Sequence, residues 1–276
     1  MPREVRPRPP VFRALGRLDP PPEIELRGQR YVRIDIYKHD SWAATARYRG
    51  PGGEVVCKFN RIQSIFGLPM TWLGRRLAAR ERAMLQRLAG VRGIPAECGP
   101  VSSAGRLLKN AVAHTCIPGR PLAPHDWPGD RFFEELVTLL QETHARGIAY
   151  VDLHKRENIV RGDDGRPYLI DFQVCFGLWS RWLSRVPPLP SILRALQHLD
   201  LYCLSKHERR HRPHAAALFT GNVSRPWWIS IHRFFGVPLR QLRRLLLVAL
   251  GIRTGRGRVT TELYAEDAFR IQPRSV

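Results

Sequence analysis

Two aspartates and an asparagine, Asp152, Asn158 and Asp171, fall within one stretch, GIAYVDLHKRENIVRGDDGRPYLIDFQ, residues 147–173. Asp152 follows an apolar approach (Ile148, Ala149, Tyr150, Val151), and Asp171 follows another (Tyr168, Leu169, Ile170). Between them, Gly162-Asp163-Asp164-Gly165 separates Ile159-Val160 from Tyr168-Leu169-Ile170, which predicts a β-hairpin. Two carboxylates and a carboxamide at the ends of short strands are hard oxygen donors. Such a set suits Mg²⁺ and a phosphate-bearing substrate.

Elements upstream must position that stretch. Tyr31 to Tyr37 alternates apolar and polar residues, Ala43 to Tyr48 reads as a second strand, and Glu54 to Phe59 follows the turn Gly50-Pro51-Gly52-Gly53. Together they predict an antiparallel meander. Lys58 lies inside its last strand, either as an edge residue with a snorkelling side chain or as a buried cation in need of a carboxylate. The spacing predicts a helix over Thr71–Ala89, with Thr71 as N-cap and Gly90 as stop. Glu81 shares its apolar stripe with Leu73, Leu77, Met84, Leu85 and Leu88. A Lys58–Glu81 ion pair would satisfy both groups; a surface Glu81 paired with a neighbouring arginine is the other reading.

Residues 91–105 read as loop. Leu107-Leu108 and Ala111–Ile117 predict a hairpin that ends at Pro118-Gly119, a hinge. Asp130 is the expected cap of a helix over Arg131–Arg146, lined by Phe132, Phe133, Leu136, Leu139, Leu140 and Thr143 and ended by Gly147. Ser191 opens another helix to about Lys206, and His207–Arg212 reads as its charged, exposed end. Further helical segments are expected from Pro226 to Phe235 and from Pro238 to Leu250.

Composition narrows the classes. The chain has 276 residues, 43% of them hydrophobic, enough for a two-part core. A formal net charge of +21 points to an anionic partner: nucleic acid, a membrane surface or a phosphorylated substrate. No nucleic-acid motif is present. Residues 1–27, rich in Pro and Arg, are expected to form a flexible basic arm. They lack the apolar core of a secretory signal, and the longest apolar run near the C-terminus, Leu245–Leu250, is far too short to span a bilayer. A cytoplasmic protein is therefore expected, with any membrane contact peripheral. The five scattered cysteines (Cys57, Cys98, Cys116, Cys175, Cys203) read as reduced thiols. Trp179, Trp182, Trp227, Trp228, Phe234 and Phe235 lie among arginines, a mixture that suits either a core or an anionic interface.

The order strand lysine, helix glutamate, Pro-Gly hinge, long helix, Asp…Asn…Asp resembles the protein-kinase-like superfamily from about Tyr31 to Gln173. Val55-Val56-Cys57-Lys58 looks like its strand-lysine motif, Asp152-Leu153 to Asn158 like its catalytic loop, and Asp171-Phe172-Gln173 like its metal-binding Asp-Phe-Gly. The resemblance implies an α+β, two-lobed fold: a small antiparallel β-sheet lobe with one helix over 28–117, and a mainly helical lobe over 118–276. It also implies ATP and Mg²⁺ (Mn²⁺ as a substitute). Lys58, oriented by Glu81, would hold the ATP phosphates; His154 and Lys155 suit the transferring phosphate, and a solvated face is the other reading for these two. Asp152 would act on the acceptor hydroxyl, and Asn158 and Asp171 would hold the metal. Asp200 would match the aspartate that braces the catalytic loop; an ordinary exposed Asp is the alternative.

Several features depart from ordinary protein kinases. No GxGxxG precedes Lys58, so Lys38–Ala44 would have to cover the phosphates. Tyr150-Val151 stands where His-Arg is usual, the Asp152–Asn158 spacing is one residue longer, and no Ala-Pro-Glu follows. These departures are similar to atypical branches: aminoglycoside and choline phosphotransferases, RIO-type kinases and bacterial lipopolysaccharide core kinases acting on heptose or Kdo at the inner membrane. The expected acceptor is a sugar hydroxyl of an anionic glycolipid, or a protein Ser/Thr. A pseudokinase that binds without turnover is the alternative.

Overall fold

The computed structural model describes residues 9–65, 67–123, 128–178, 180 and 182–211. Its class is α+β, with a curled antiparallel sheet and three helices among those residues. Seven strands form the main sheet: β1 (Glu23–Leu26), β2 (Gln29–His39), β3 (Ala43–Gly50), β4 (Gly53–Asn60), β5 (Val101–Ser103), β6 (Arg106–Leu107) and β7 (Ala111–Thr115), in the order β6-β5-β1-β2-β3-β4-β7. The expected alternation is realised in β3 and β4, but in β2 two register shifts interrupt it and leave Val32 and Ile34 exposed. Ala44, Ala46, Tyr48, Val55, Cys57 and Phe59 enter one buried core, while Thr45, Lys58 and Val56 fall on the other face by the two-residue period of a strand.

The sequence expectations need correction at several points. Residues 9–27 are not a free arm. Ala14 and Leu15 are buried, and Ile24 and Leu26 of β1 enter the same core as Tyr48 and Phe59. The backbone of Ala14 is used three times, donating to Asp40 O and accepting from Ile62 N and Gln63 N. Arg61, only 1% exposed, fixes this segment by donating to the carbonyls of Val11, Ser41, Gln63 and Ser64. The Pro/Arg composition concealed four apolar anchors. Nor do Leu107 and Ala111–Ile117 pair with each other: β6 pairs with β5, and β7 pairs with β4. Ala104 and Gly105, both at positive φ, close a two-residue turn between β5 and β6, the backbone such hairpins require.

Helix α1 (Thr71–Arg87) begins at Thr71, with Met70 in the cap position, and reaches its C-cap at Leu88. It lies hard against the end of β4: a Cβ on Gly74 would come within 2.2 Å of the Arg61 carbonyl oxygen, so only glycine permits the approach. Past Thr115 the chain forms β8 (Gly119–Pro121), α2 (Asp130–Ala145), β9 (Ile148–Ala149), β10 (Ile159–Gly162), β11 (Pro167–Leu169), β12 (Phe176–Gly177) and α3 (Leu189–His211). Gly129, not Asp130, occupies the cap of α2. The expected hairpin is β10–β11, with β8 added alongside β10. Phe132, Phe133, Leu136, Leu139 and Leu140 of α2 join Met84, Leu85 and Leu88 of α1, Tyr150, Leu153, Phe172 and Leu204 in a second core.

Helix α3 starts two residues before Ser191 and runs beyond Lys206. Its charged end is not exposed throughout: His207, Glu208 and His211 are buried, while Arg209 and Arg210 face solvent. Cys57, Cys175 and Cys203 are buried thiols. Of the aromatic cluster read as either core or interface, Trp182 is exposed; Trp179, Trp227, Trp228, Phe234, Phe235 and the segments 226–235 and 238–250 lie outside the described residues. No helix among the described residues is long and apolar enough to cross a membrane.

Candidate active site

Lys58 is carried by β4, paired between β3 and the edge strand β7, where Thr45 and Val112 oppose it. Its side chain is 12% exposed. The ammonium donates to Glu81 Oε1 and Oε2 at 3.0 and 3.2 Å and to Asp171 Oδ1 at 2.6 Å. Of the two readings for Glu81, the buried partner of Lys58 is the one realised, because the apolar stripe of α1 turns it inward at 1% exposure. Burial works against the Lys58 charge, but Asp171 and Glu81 outweigh it and hold its pKa above the ordinary lysine value. The two carboxylates diverge. Burial pushes the Glu81 carboxyl up despite Lys58. Burial also acts upward on Asp171, but Lys58 overrides it, with Lys155 and Lys38 adding to the pull, and the carboxyl falls to about 2.

Asp152 and Asn158 form the second group. Asn158 Nδ2 donates to Asp152 Oδ2 at 3.0 Å and to the Asp152 carbonyl at 3.3 Å. Lys155 Nζ donates to the same Oδ2 at 2.7 Å, and His154 Nδ1 lies 3.4 Å from Oδ1. The loop closes in a 3₁₀ turn, Arg156–Asn158. That turn buries Asn158 and leaves Glu157 exposed, so the asparagine is the inward-facing candidate. The two groups are joined through the hairpin: Ile170 N donates to Asn158 O at 3.1 Å, and the Tyr150 hydroxyl donates to Ile170 O.

Asp200, fully buried on α3, accepts from Tyr150 N and Val151 N at 2.7 Å each and from His144 Nε2 at 3.1 Å. Of its two readings, the brace is the one realised. It holds Val151 at φ 69°, a conformation that a β-branched residue rarely adopts. Asp171 is likewise at φ 63°, which turns its carboxylate toward Lys58. Sequence reasoning missed a second brace: His207 Nε2 donates to the Leu153 carbonyl at 2.7 Å. The signal was present, since residues 200, 203, 204, 207, 208 and 211 form an i, i+3/i+4 stripe on α3, and all of them are buried. Gln173 Nε2 also reaches back to Asn60 Oδ1 at 2.6 Å, tying the segment after Asp171 to the end of β4.

Among the described residues, no group of three or more His, Cys, Asp or Glu side chains is arranged to hold a metal. The oxygen donors on hand are Asp171, one of whose oxygens is taken by Lys58, and the amide oxygen of Asn158, whose nitrogen is turned to Asp152. No known protein-family model matches the chain, and no curated protein sequence matches it.

Proposed function

We propose that the chain is an atypical kinase of the protein-kinase-like superfamily, with the two-lobed fold of that group. It would transfer the γ-phosphate of ATP to a hydroxyl. One observation carries this reading: a strand lysine, 12% exposed, bonded at once to a helix glutamate and to the aspartate that follows the hairpin, with an Asp–Asn loop leading into the same open end of that hairpin. Phosphoryl transfer asks for positioned cations and an oriented hydroxyl more than for covalent help from protein.

Each residue then has a task. Lys58, kept cationic by its partners, grips the inner phosphates; Glu81 keeps its ammonium from turning away. Asp152 Oδ1 receives the acceptor hydroxyl and its proton, because Oδ2 is engaged by Asn158 and Lys155. Lys155 and His154, 47% and 61% exposed, face the phosphate in transfer. Asp171, ionised far below neutrality, and the Asn158 amide oxygen fit Mg²⁺, which takes few protein ligands and completes its shell with water and phosphate oxygens. Bound there, the ion supplies positive charge against the phosphate oxygens.

The preferred acceptor class is a sugar hydroxyl of an anionic glycolipid, in keeping with the net charge of +21 and a peripheral place at the cytoplasmic face of a membrane. A protein Ser/Thr is the competing acceptor. The pseudokinase reading draws on the Lys155–Asp152 contact, which engages one oxygen of the acid the reaction needs.

The test uses the full chain, Mg²⁺ and γ-labelled ATP, with an envelope extract and, separately, a generic protein substrate. Label should enter one of them, and Asp152→Ala should lower the rate by about a thousandfold with the melting temperature retained. Undiminished transfer by the variant would sink the assignment. Nucleotide binding without any transfer would instead establish the pseudokinase.

A further inference from the structure

The loop between β2 and β3 has no glycine, and the amides of Asp40, Trp42 and Ala43 are already used, the first by Ala43 O. Asp40 Oδ1 accepts from Trp42 N at 2.7 Å and from Ala43 N at 2.9 Å. Asp40 O accepts from Ala14 N, Ser41 Oγ donates to Phe12 O, and Ser41 O accepts from Arg61. A loop pinned in this way does not wrap its amides around an anion. What it offers is a side chain. Lys38 is 49% exposed, and its ammonium lies 2.6 Å from Asp40 Oδ2.

The strand register shows where Lys38 is aimed. On β2 and β3, Ile36 opposes Ala46, but the next pair is Lys38 with Thr45, because Tyr37 is an extra residue in a bulge. Without it, Lys38 would oppose Ala44 and point into the sheet's core, since a one-residue slip reverses every side chain. With it, His39 takes the core side opposite Ala44 and is 6% exposed. Thr45 in turn opposes Lys58. Lys38, Thr45 and Lys58 thus form one cross-strand row on the face that carries Glu81 and Asp171, their backbones spaced about 4.8 Å per strand.

We propose that Lys38 is a second phosphate-binding lysine, delivered by the bulge at Tyr37 to the same row as Lys58, and that it takes the part a glycine-rich loop plays elsewhere. The ligand class is a polyphosphate chain, bridged between two ammonium groups, with Asp40 holding Lys38 in place until the anion arrives. The proposal rests on the kinase reading for the nucleotide, but its geometry requires only a polyphosphate.

The test measures binding of inorganic tripolyphosphate, ATP with Mg²⁺, and adenosine to the full chain by calorimetry. Lys38→Met should weaken tripolyphosphate and ATP by about tenfold and leave adenosine within about twofold. Lys38→Arg, which keeps the charge and the Asp40 contact, should retain most of the affinity. Lys109→Met, which removes an exposed lysine before β7, should change nothing. Equal affinities for wild type and Lys38→Met, an equal loss from Lys109→Met, or no tripolyphosphate binding by the wild type each overturn the proposal. If tripolyphosphate binds and depends on Lys38 while ATP does not bind, the kinase reading falls and this inference stands.

Discussion

Lys58 and Asp152 belong to the same site, yet the molecule secures them in different ways. Lys58 is held charge to charge, by two carboxylates within 3.2 Å, in a place where water hardly enters. Asp152 sits on a loop suspended from α3 by main-chain hydrogen bonds: Asp200 accepts from the two amides before it, and His207 donates to the Leu153 carbonyl after it. Its own carboxylate meets only an asparagine and two side chains that are about half exposed or more. The lysine is therefore part of the fold's stability. The aspartate is positioned by the fold, and two of its three side-chain partners can swing into solvent, which suits the exchange of partners that the proposed reaction asks of it.

The largest effect expected from this difference lies at Glu81. Glu81→Ala leaves Lys58 buried with Asp171 alone, and breaking a buried pair from one side costs about 3 kcal/mol or more. Urea unfolding should register that loss at neutral pH. A cost below about 1 kcal/mol would mean that Asp171 satisfies the lysine unaided, and the charge-to-charge account of this side would be wrong.

Acid should separate the two sides in order. His207 is pressed down to about 4 by burial, with His211, Arg210 and Arg156 adding to the effect and the bond to Leu153 opposing it. In the unfolded chain the same imidazole titrates near about 6.5. Between those values the unfolded state binds the extra proton, so stability falls as pH falls, by about 1.4 kcal/mol per pH unit for this residue. His39 and His114, also lowered to about 4 chiefly by burial, add to the same slope. Asp171 has the opposite range: its contribution is present above about pH 4 and is lost only as pH falls toward 2. Unfolding free energies measured from pH 7 to 4 should therefore decline, and His207→Gln should flatten the decline by about one proton's worth. An unchanged slope in His207→Gln would remove the histidine from the suspension of the loop.

What could be read from the sequence follows the same division. The alternation in β3 and β4, the stripe on α1 and the hairpin between Asn158 and Asp171 are local patterns, so Lys58, Glu81, Asn158 and Asp171 could be named in advance. The suspension of Asp152 could not. His207 lies in a run of charges, His207-Glu208-Arg209-Arg210-His211, and composition alone reads such a run as solvated. Only the docking of α3 against the loop shows that three of these side chains are enclosed. Residues 9–27 were misread for a related reason: prolines and arginines outnumber Ala14, Leu15, Ile24 and Leu26, and the carbonyls that make Arg61 affordable inside come from segments distant in sequence. The bulge at Tyr37 is likewise a matter of pairing, and a single strand cannot display its own register.

The smallest effect on stability, and the sharpest contrast with Glu81, is expected at Lys155. Its bond to Asp152 Oδ2, at 2.7 Å, is as short as those within the buried cluster, but 47% of the side chain is open to solvent. The Asp152 carboxylate is 6% exposed, but it keeps Asn158 when Lys155 is lost, and a pair whose cation is half in water contributes about 1 kcal/mol at most and is screened by salt. Lys155→Met should thus leave the urea midpoint almost unchanged. In the proposed reaction the same change removes a cation from the phosphate in flight, and phosphate transfer should fall by about tenfold or more. Comparing Lys155→Met with Glu81→Ala in both assays then separates the two kinds of ion pair. One should lose activity with its fold intact, and the other should lose fold and activity together. If Lys155→Met unfolds as readily as Glu81→Ala, the loop depends on that lysine for its structure, and Asp152 is not the exchangeable group its surroundings make it.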